Sequence, residues 1–153
     1  MREILFRAKR IYNGEWVEGF YQNRFDVNED IEHLIFWRKS YTVWEYAKID
    51  PDTLCQYTGL KDKNGNRIWE NDIVSCEHEK YPDDNPSEVY PLLPDPIKYK
   101  RNYAVEFINT GSSYGYRLRN KSIHFMITVN VIYNHKIEVI GNAFDNPELL
   151  KGE

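Results

Sequence analysis

Residues suited to chemistry are few in this chain, and they are scattered. Cys76-Glu77-His78-Glu79 is the one run rich in metal-ligand types. On a strand Cys76 and His78 would share a face, which supplies two of the four ligands a structural zinc takes. His33, His124 and His135 are remote in sequence, so a strand end entering an acidic segment is the simpler reading. Cys55 lies between Leu54 and Gln56 with no basic cluster or helix start to stabilise a thiolate, and it reads as a buried structural thiol. Ser112-Ser113 lacks the Gly-x-Ser-x-Gly frame of an activated serine. The glycine-rich Thr110–Gly115 stretch has no following lysine and no helix start, so it reads as a hairpin turn and not a phosphate cradle. Asp83-Asp84 sits in a proline-rich stretch that offers neither fixed geometry nor desolvation for acid–base work. No catalytic residue, metal set or cofactor is expected.

Two segments suggest binding instead. Lys98, Lys100, Arg101, Arg117, Arg119 and Lys121 face a single acid, Glu106, and Tyr99, Tyr103, Tyr114 and Tyr116 interleave with them. Cations neutralise phosphates and rings stack on unpaired bases, so these six residues form a candidate nucleic-acid surface. Alternation argues the other way: Tyr114 and Tyr116 share a face with Leu118, whereas Arg117 and Arg119 point oppositely beside Glu106. The second segment, Glu77–Pro96, holds five of the seven prolines and six acids against Lys80. It reads as a long acidic loop, with Asp83, Asp84, Glu88 and Asp95 as a candidate partner-binding set.

Hairpins are the elements that would position these groups. Ile4, Phe6 and Ala8 alternate with Leu5, Arg7 and Lys9, Asn13-Gly14 supplies a tight turn, and Trp16, Val17, Phe20 and Tyr21 form the return strand. Gly19 marks a bulge or close approach. Over residues 25–49, Ile31, Leu34 and Ile35 have helical spacing behind Asp30. The aromatic and β-branched runs Leu34–Trp37 and Tyr41–Trp44 nevertheless favour a second hairpin. Asp50-Pro51-Asp52-Thr53 is a turn. Asn64-Gly65 marks another, and a polar turn at Asn71-Asp72 leads into a strand ending near Cys76. Tyr103–Phe107 and Tyr114–Leu118 form a third hairpin, and strands follow at Ile123–Val131 and Ile137–Ile140. Asn146-Pro147-Glu148 carries the start signals of a short terminal helix.

Composition agrees with sheet. Of 153 residues, 15% are aromatic, and rings fit pleated surfaces better than helices. A net charge of −4 argues against indiscriminate nucleic-acid binding. Two cysteines are too few for a disulfide framework, and no apolar run reaches the ~18 residues of a membrane span. The opening residues reach only three apolar positions before Arg7, which is not a secretory signal. A cytoplasmic protein with no membrane partner is expected.

Three pieces of the chain stand out together. The first is Arg2-Glu3-Ile4-Leu5-Phe6-Arg7-Ala8 with Trp16 and Gly19. The second is Asp50-Pro51-Asp52-Thr53, Gln56-Tyr57-Thr58-Gly59-Leu60-Lys61-Asp62-Lys63-Asn64-Gly65 and Asp72-Ile73-Val74. The third is Ile137-Glu138-Val139-Ile140-Gly141-Asn142 with Asn146-Pro147-Glu148-Leu149-Leu150. Together the three resemble the YopX family of small phage and prophage proteins, in which glycine is common where Cys55 stands. Asn71 also replaces a common glycine, and asparagine still tolerates positive φ. The resemblance implies phage origin, cytoplasmic location, self-association as a homo-oligomer, a host or phage protein partner and no assigned reaction.

The expectation is therefore a mainly β protein. Residues 1–58 form N-terminal β-hairpins, and residues 59–153 form a small SH3-like β-barrel with an acidic proline-rich insertion at 77–100 and a short C-terminal helix. Its function is expected to be non-catalytic binding, with nucleic-acid binding through residues 98–121 as the alternative.

Overall fold

Period-two alternation and tight turns produce two antiparallel sheets in the computed structural model, which describes residues 2–81 and 95–151. The chain divides into two compact units, Met1–Leu60 with Arg67–Asn71 and Lys61–Asn66 with Asp72–Glu153.

The first unit is built on β1 (Phe6–Lys9), β2 (Trp16–Phe25), β3 (Ile31–Arg38), β4 (Trp44–Lys48), β5 (Cys55–Lys61) and β6 (Arg67–Trp69). Their order in the sheet is β4-β3-β2-β1-β5-β6. Residues 31–38 are strand, so the helical spacing of Ile31, Leu34 and Ile35 loses to the β-branched and aromatic content of the run. Gly14 turns the first hairpin at φ 70°. Gly19 is a close-approach point: a Cβ there would lie 2.0 Å from the Phe36 carbonyl oxygen on the neighbouring strand. One face buries Ala8, Val17, Ile35 and Ile49, with Phe6, Tyr21 and Trp37 packed against them. Val17, Ile35 and Ile49 each contribute roughly 1.5–3 kcal/mol on leaving water. The Tyr21 hydroxyl and His33 Nδ1 are hydrogen-bonded at 2.7 Å beneath their stacked rings.

The Asp50–Thr53 motif has a defined structural task. Asp50 Oδ1 accepts from the Asp52 N–H at 3.0 Å, capping a 3-10 turn over Pro51–Thr53. Thr53 Oγ1 donates to the Asp50 carbonyl and accepts from the Lys9 N–H at 2.8 Å, which ties the turn to β1.

The second unit contains β7 (Asp72–Lys80), β8 (Ile97–Asn109), β9 (Tyr114–Asn120), β10 (Ile123–Met126), helix α1 (Val129–Asn134) and β11 (Glu138–Asn142). Strand order is β10-β9-β8-β7-β11. Among the described residues the edge strands β10 and β11 do not pair, so the sheet is open where a closed SH3-like barrel was expected. The short terminal helix lies where expected, as a 3-10 helix over Pro147–Leu150. Two further corrections belong here. The Ile123–Val131 strand ends at Met126, and residues 129–134 are helical. Residues 77–80 and 97–100 are strand, not loop: Glu77 pairs with Lys100 and Glu79 with Lys98, so their charges are matched across the ladder.

Asp62 fixes the turn at Asn64-Gly65. Its carboxylate accepts from the Asn64 and Asn66 N–H groups at 2.9 Å each and from the Val139 N–H at 3.0 Å. Burial raises its pKa, but the backbone donors at Val139, Asn66 and Asn64 outweigh this and hold it below the ordinary carboxylate value. Asn71 adopts φ 65°, the conformation its turn requires.

Candidate functional site

On β8 and β9 the ladder register pairs the predicted basic residues with acids. Glu106 lies opposite Arg117 and is ion-paired to it, and Arg119 Nη1 reaches the same carboxylate at 3.7 Å. Lys98 Nζ is 3.8 Å from Glu79, and Lys100 lies opposite Glu77. Arg119 Nε also donates to the Lys121 carbonyl. Arg101 points the other way and places its guanidinium 5.8 Å from the Tyr99 ring. Tyr103 is buried, while Phe107 meets Tyr114 and Tyr116 edge-on at the hairpin tip. Rings and most cations therefore occupy opposite faces, as alternation along the strands anticipates. In the acidic set, Asp95 is exposed, and Asp83, Asp84 and Glu88 lie outside the described residues.

The Cys76–Glu79 run divides by parity. Cys76 is fully buried and its thiol is pushed up to about 12 by desolvation, which leaves it inert. Burial raises the Cys55 thiol as well. His78 joins an aromatic group: its Nε2 lies 3.0 Å from the Tyr103 hydroxyl, and its ring stacks on Tyr99. His135 approaches within 5.0 Å between ring centroids. The Glu77 carbonyl accepts from His135 Nδ1 at 2.9 Å, so the other nitrogen of neutral His135 is an acceptor. Burial, followed by His135 and Arg101, lowers the His78 pKa and favours the neutral ring. Both imidazoles border a groove of about 330 Å³ beside Glu77, Lys98 and Lys136. Among the described residues no group of three or more His, Cys, Asp or Glu is placed to hold a metal.

A site the sequence reading missed lies on the first unit, on the outward face of β2, β3 and β4. Register aligns Phe20, Phe36 and Tyr46 across three strands, with Trp44 one pleat further along. Phe20, Trp44 and Tyr46 are about half exposed (52, 49 and 53%). Phe20 lies 5.9 Å from Trp44 and Phe36 lies 5.4 Å from Tyr46. Arg38 covers the Trp44 ring at 5.2 Å and the Tyr41 ring at 5.9 Å, and Arg24 covers Tyr46 at 5.4 Å. Arg24 and Lys48 both pair with Glu32. The available signal was the adjacent pair Phe36-Trp37. Neighbours on a strand point to opposite faces, so a half-buried strand must expose one of the two rings.

This two-sheet antiparallel chain is similar in structure to protein EF1440 from Enterococcus faecalis, known from a crystal structure. The two are 25% identical, with a TM-score of 0.55 over 99% of this chain and 100% of that one. The YopX protein family matches residues 5–151, and the chain belongs to that family. No curated protein matches it. No helix among the described residues is long and apolar enough to cross a membrane.

Proposed function

We propose that this YopX-family chain is a non-catalytic phage or prophage accessory protein. It works in the bacterial cytoplasm as a homo-oligomer and engages a macromolecule through the outward face of β2, β3 and β4. The observation that carries this reading is the set of half-exposed rings of Phe20, Trp44 and Tyr46 gathered on one face, because contiguous apolar surface of this kind marks interaction sites. Oligomerisation and phage origin follow the family resemblance. The test is affinity capture from bacterial cells carrying the phage, comparing the wild type with a Trp44→Ser/Tyr46→Ser variant. Loss of captured material in a variant that keeps its circular dichroism spectrum supports the reading, and identical capture overturns it.

A second reading, a small hydrolytic enzyme, rests on the convergence of His78 and His135 on one groove, where two imidazoles, the side chain most often used in general acid–base catalysis, lie 5.0 Å apart between ring centroids. Its test is turnover of generic nitrophenyl esters and phosphodiesters by the wild type and by His135→Gln. Turnover that the substitution removes supports it, and an inert wild type discards it.

A further inference from the structure

Resting on the first reading, we propose that the occupant of the β2–β3–β4 face is single-stranded nucleic acid, held by ring stacking and phosphate neutralisation. Three observations carry this. First, rings and cations lie on the same face, an arrangement that the β8–β9 hairpin shows only where Arg101 meets Tyr99. Stacking on rings is indifferent to base identity, so bases need exposed π surface near the cations that hold the backbone.

Second, positive charge collects here in a chain that is acidic overall. On the outward face of β1 to β4 stand Arg7, Lys9, Arg24, Arg38 and Lys48, against Glu18 and Glu32, while the whole chain carries −4. An isologous contact with a second copy would set this surplus against itself, and an acidic polymer complements it. Arg38 is the clearest contact for a phosphate: its guanidinium rests on two rings, no carboxylate among the described residues pairs with it, and its five N–H donors are well suited to phosphate oxygens.

Third, the spacing suits a strand of bases. Phe20, Phe36 and Tyr46 occupy one register row across neighbouring strands, which lie about 4.8 Å apart. Trp44 extends the row by one pleat. Such a platform would accommodate two or three splayed bases, as the aromatic side chains of four-stranded RNA-binding sheets do. Duplex would bind less well, because its π surfaces are already stacked internally.

The experiment is fluorescence anisotropy of a fluorescein-labelled oligothymidine of about 12 nucleotides, titrated with the full chain at low salt. Expected is saturable binding that weakens steeply with salt. Trp44→Ala and Tyr46→Ala should each weaken it about tenfold. Arg38→Gln, an exposed position that leaves the fold alone, should lower the log–log salt slope by about one. The unlabelled duplex of the same length should compete poorly. Absence of binding at low salt overturns the proposal, and so does binding that all three substitutions leave unchanged. The same variants in the cellular capture separate the two claims. If the wild type ignores oligothymidine but the face variants lose a nuclease-resistant protein or change oligomeric size, the nucleic-acid proposal fails and the docking face stands. If neither assay responds, both fail.

Discussion

The β8–β9 hairpin and the β2–β3–β4 face contain the same ingredients, rings and cations, in opposite arrangements. On the hairpin, Arg117 and Arg119 share Glu106, Lys98 lies beside Glu79, and Lys100 is opposite Glu77. Its tyrosines turn to the other side. On the first unit, Arg38 lies on Trp44 and Tyr41, and Arg24 divides itself between Tyr46 and Glu32. The sequence is densest in cations where ladder register sets most of them beside acids. Charge along a chain becomes charge on a surface only after ladder register has chosen each neighbour, and acids on the neighbouring strand offset the lysines opposite them.

The comparison can be broken most severely at Gly19. An added Cβ would sit 2.0 Å from the Phe36 carbonyl, a backbone atom that cannot swing aside. Gly19→Ala must therefore push β2 from β3 across the centre of the ring row. A loss of about 3 kcal/mol is expected, at the upper end of overpacking costs, together with loss of oligothymidine binding. Urea denaturation measures the first. A variant as stable as wild type would show that the two strands do not depend on this close approach.

Asp62 tests the second unit in the same way. Asp62→Ala leaves three backbone N–H groups, at Asn64, Asn66 and Val139, without their acceptor, and a loss of about 2–3 kcal/mol is expected. The charge also sets a pH window. Because the folded-state pKa is depressed, the contribution is complete above the ordinary carboxylate value and is lost as pH falls through the folded pKa. Acid titration of stability should therefore be shallower in Asp62→Ala than in wild type below about pH 4. Equal slopes would assign the acid sensitivity to other carboxylates.

His78 should give a smaller effect with its window nearer neutrality. Its pKa is lowered on folding, so the unfolded chain takes up the proton first. Stability is then full above the ordinary histidine value, near 6.5, and declines as pH falls from there towards the folded pKa. The groups around the ring are His135, Arg101, Tyr99 and the Tyr103 hydroxyl. His78→Gln should flatten the stability profile between pH 8 and 5, as followed by thermal denaturation. A profile unchanged by the substitution would mean that this imidazole does not govern it.

What the sequence made legible was local. Asn13-Gly14, Asn64-Gly65 and the Thr110–Ser113 turn identify themselves because positive φ or side-chain capping is decided within four residues. Asp50–Thr53 and Asn71 are legible for the same reason. Helix α1 was hidden because Val129, Val131 and Ile132 favour strand. The Thr128 cap, which accepts from the Val131 N–H, and burial of Ile132 override that preference. The open sheet was hidden because hairpins specify neighbours without specifying whether the outermost strands meet. Both candidate sites depend on non-local register. Phe20 meets Phe36, and His78 meets His135, across separations that no short-range pattern encodes.

The smallest expected effect is the most discriminating. Arg117→Ala with Arg119→Ala removes the two most conspicuous cations of the hairpin, and from sequence density alone it should abolish nucleic-acid binding. Because both guanidiniums already answer to Glu106, partly exposed pairs of this kind contribute under about 1 kcal/mol, and the two positive charges that leave are not set beside stacking rings. Oligothymidine affinity should therefore stay within about twofold of wild type while Trp44→Ala loses about tenfold. Glu106→Gln sharpens the contrast from the other side, since it frees both arginines without adding a ring. If it alone brings the hairpin up to the affinity of the first unit, cations suffice and stacking is secondary. If affinity hardly moves, the rings of β2, β3 and β4 are what a single strand requires.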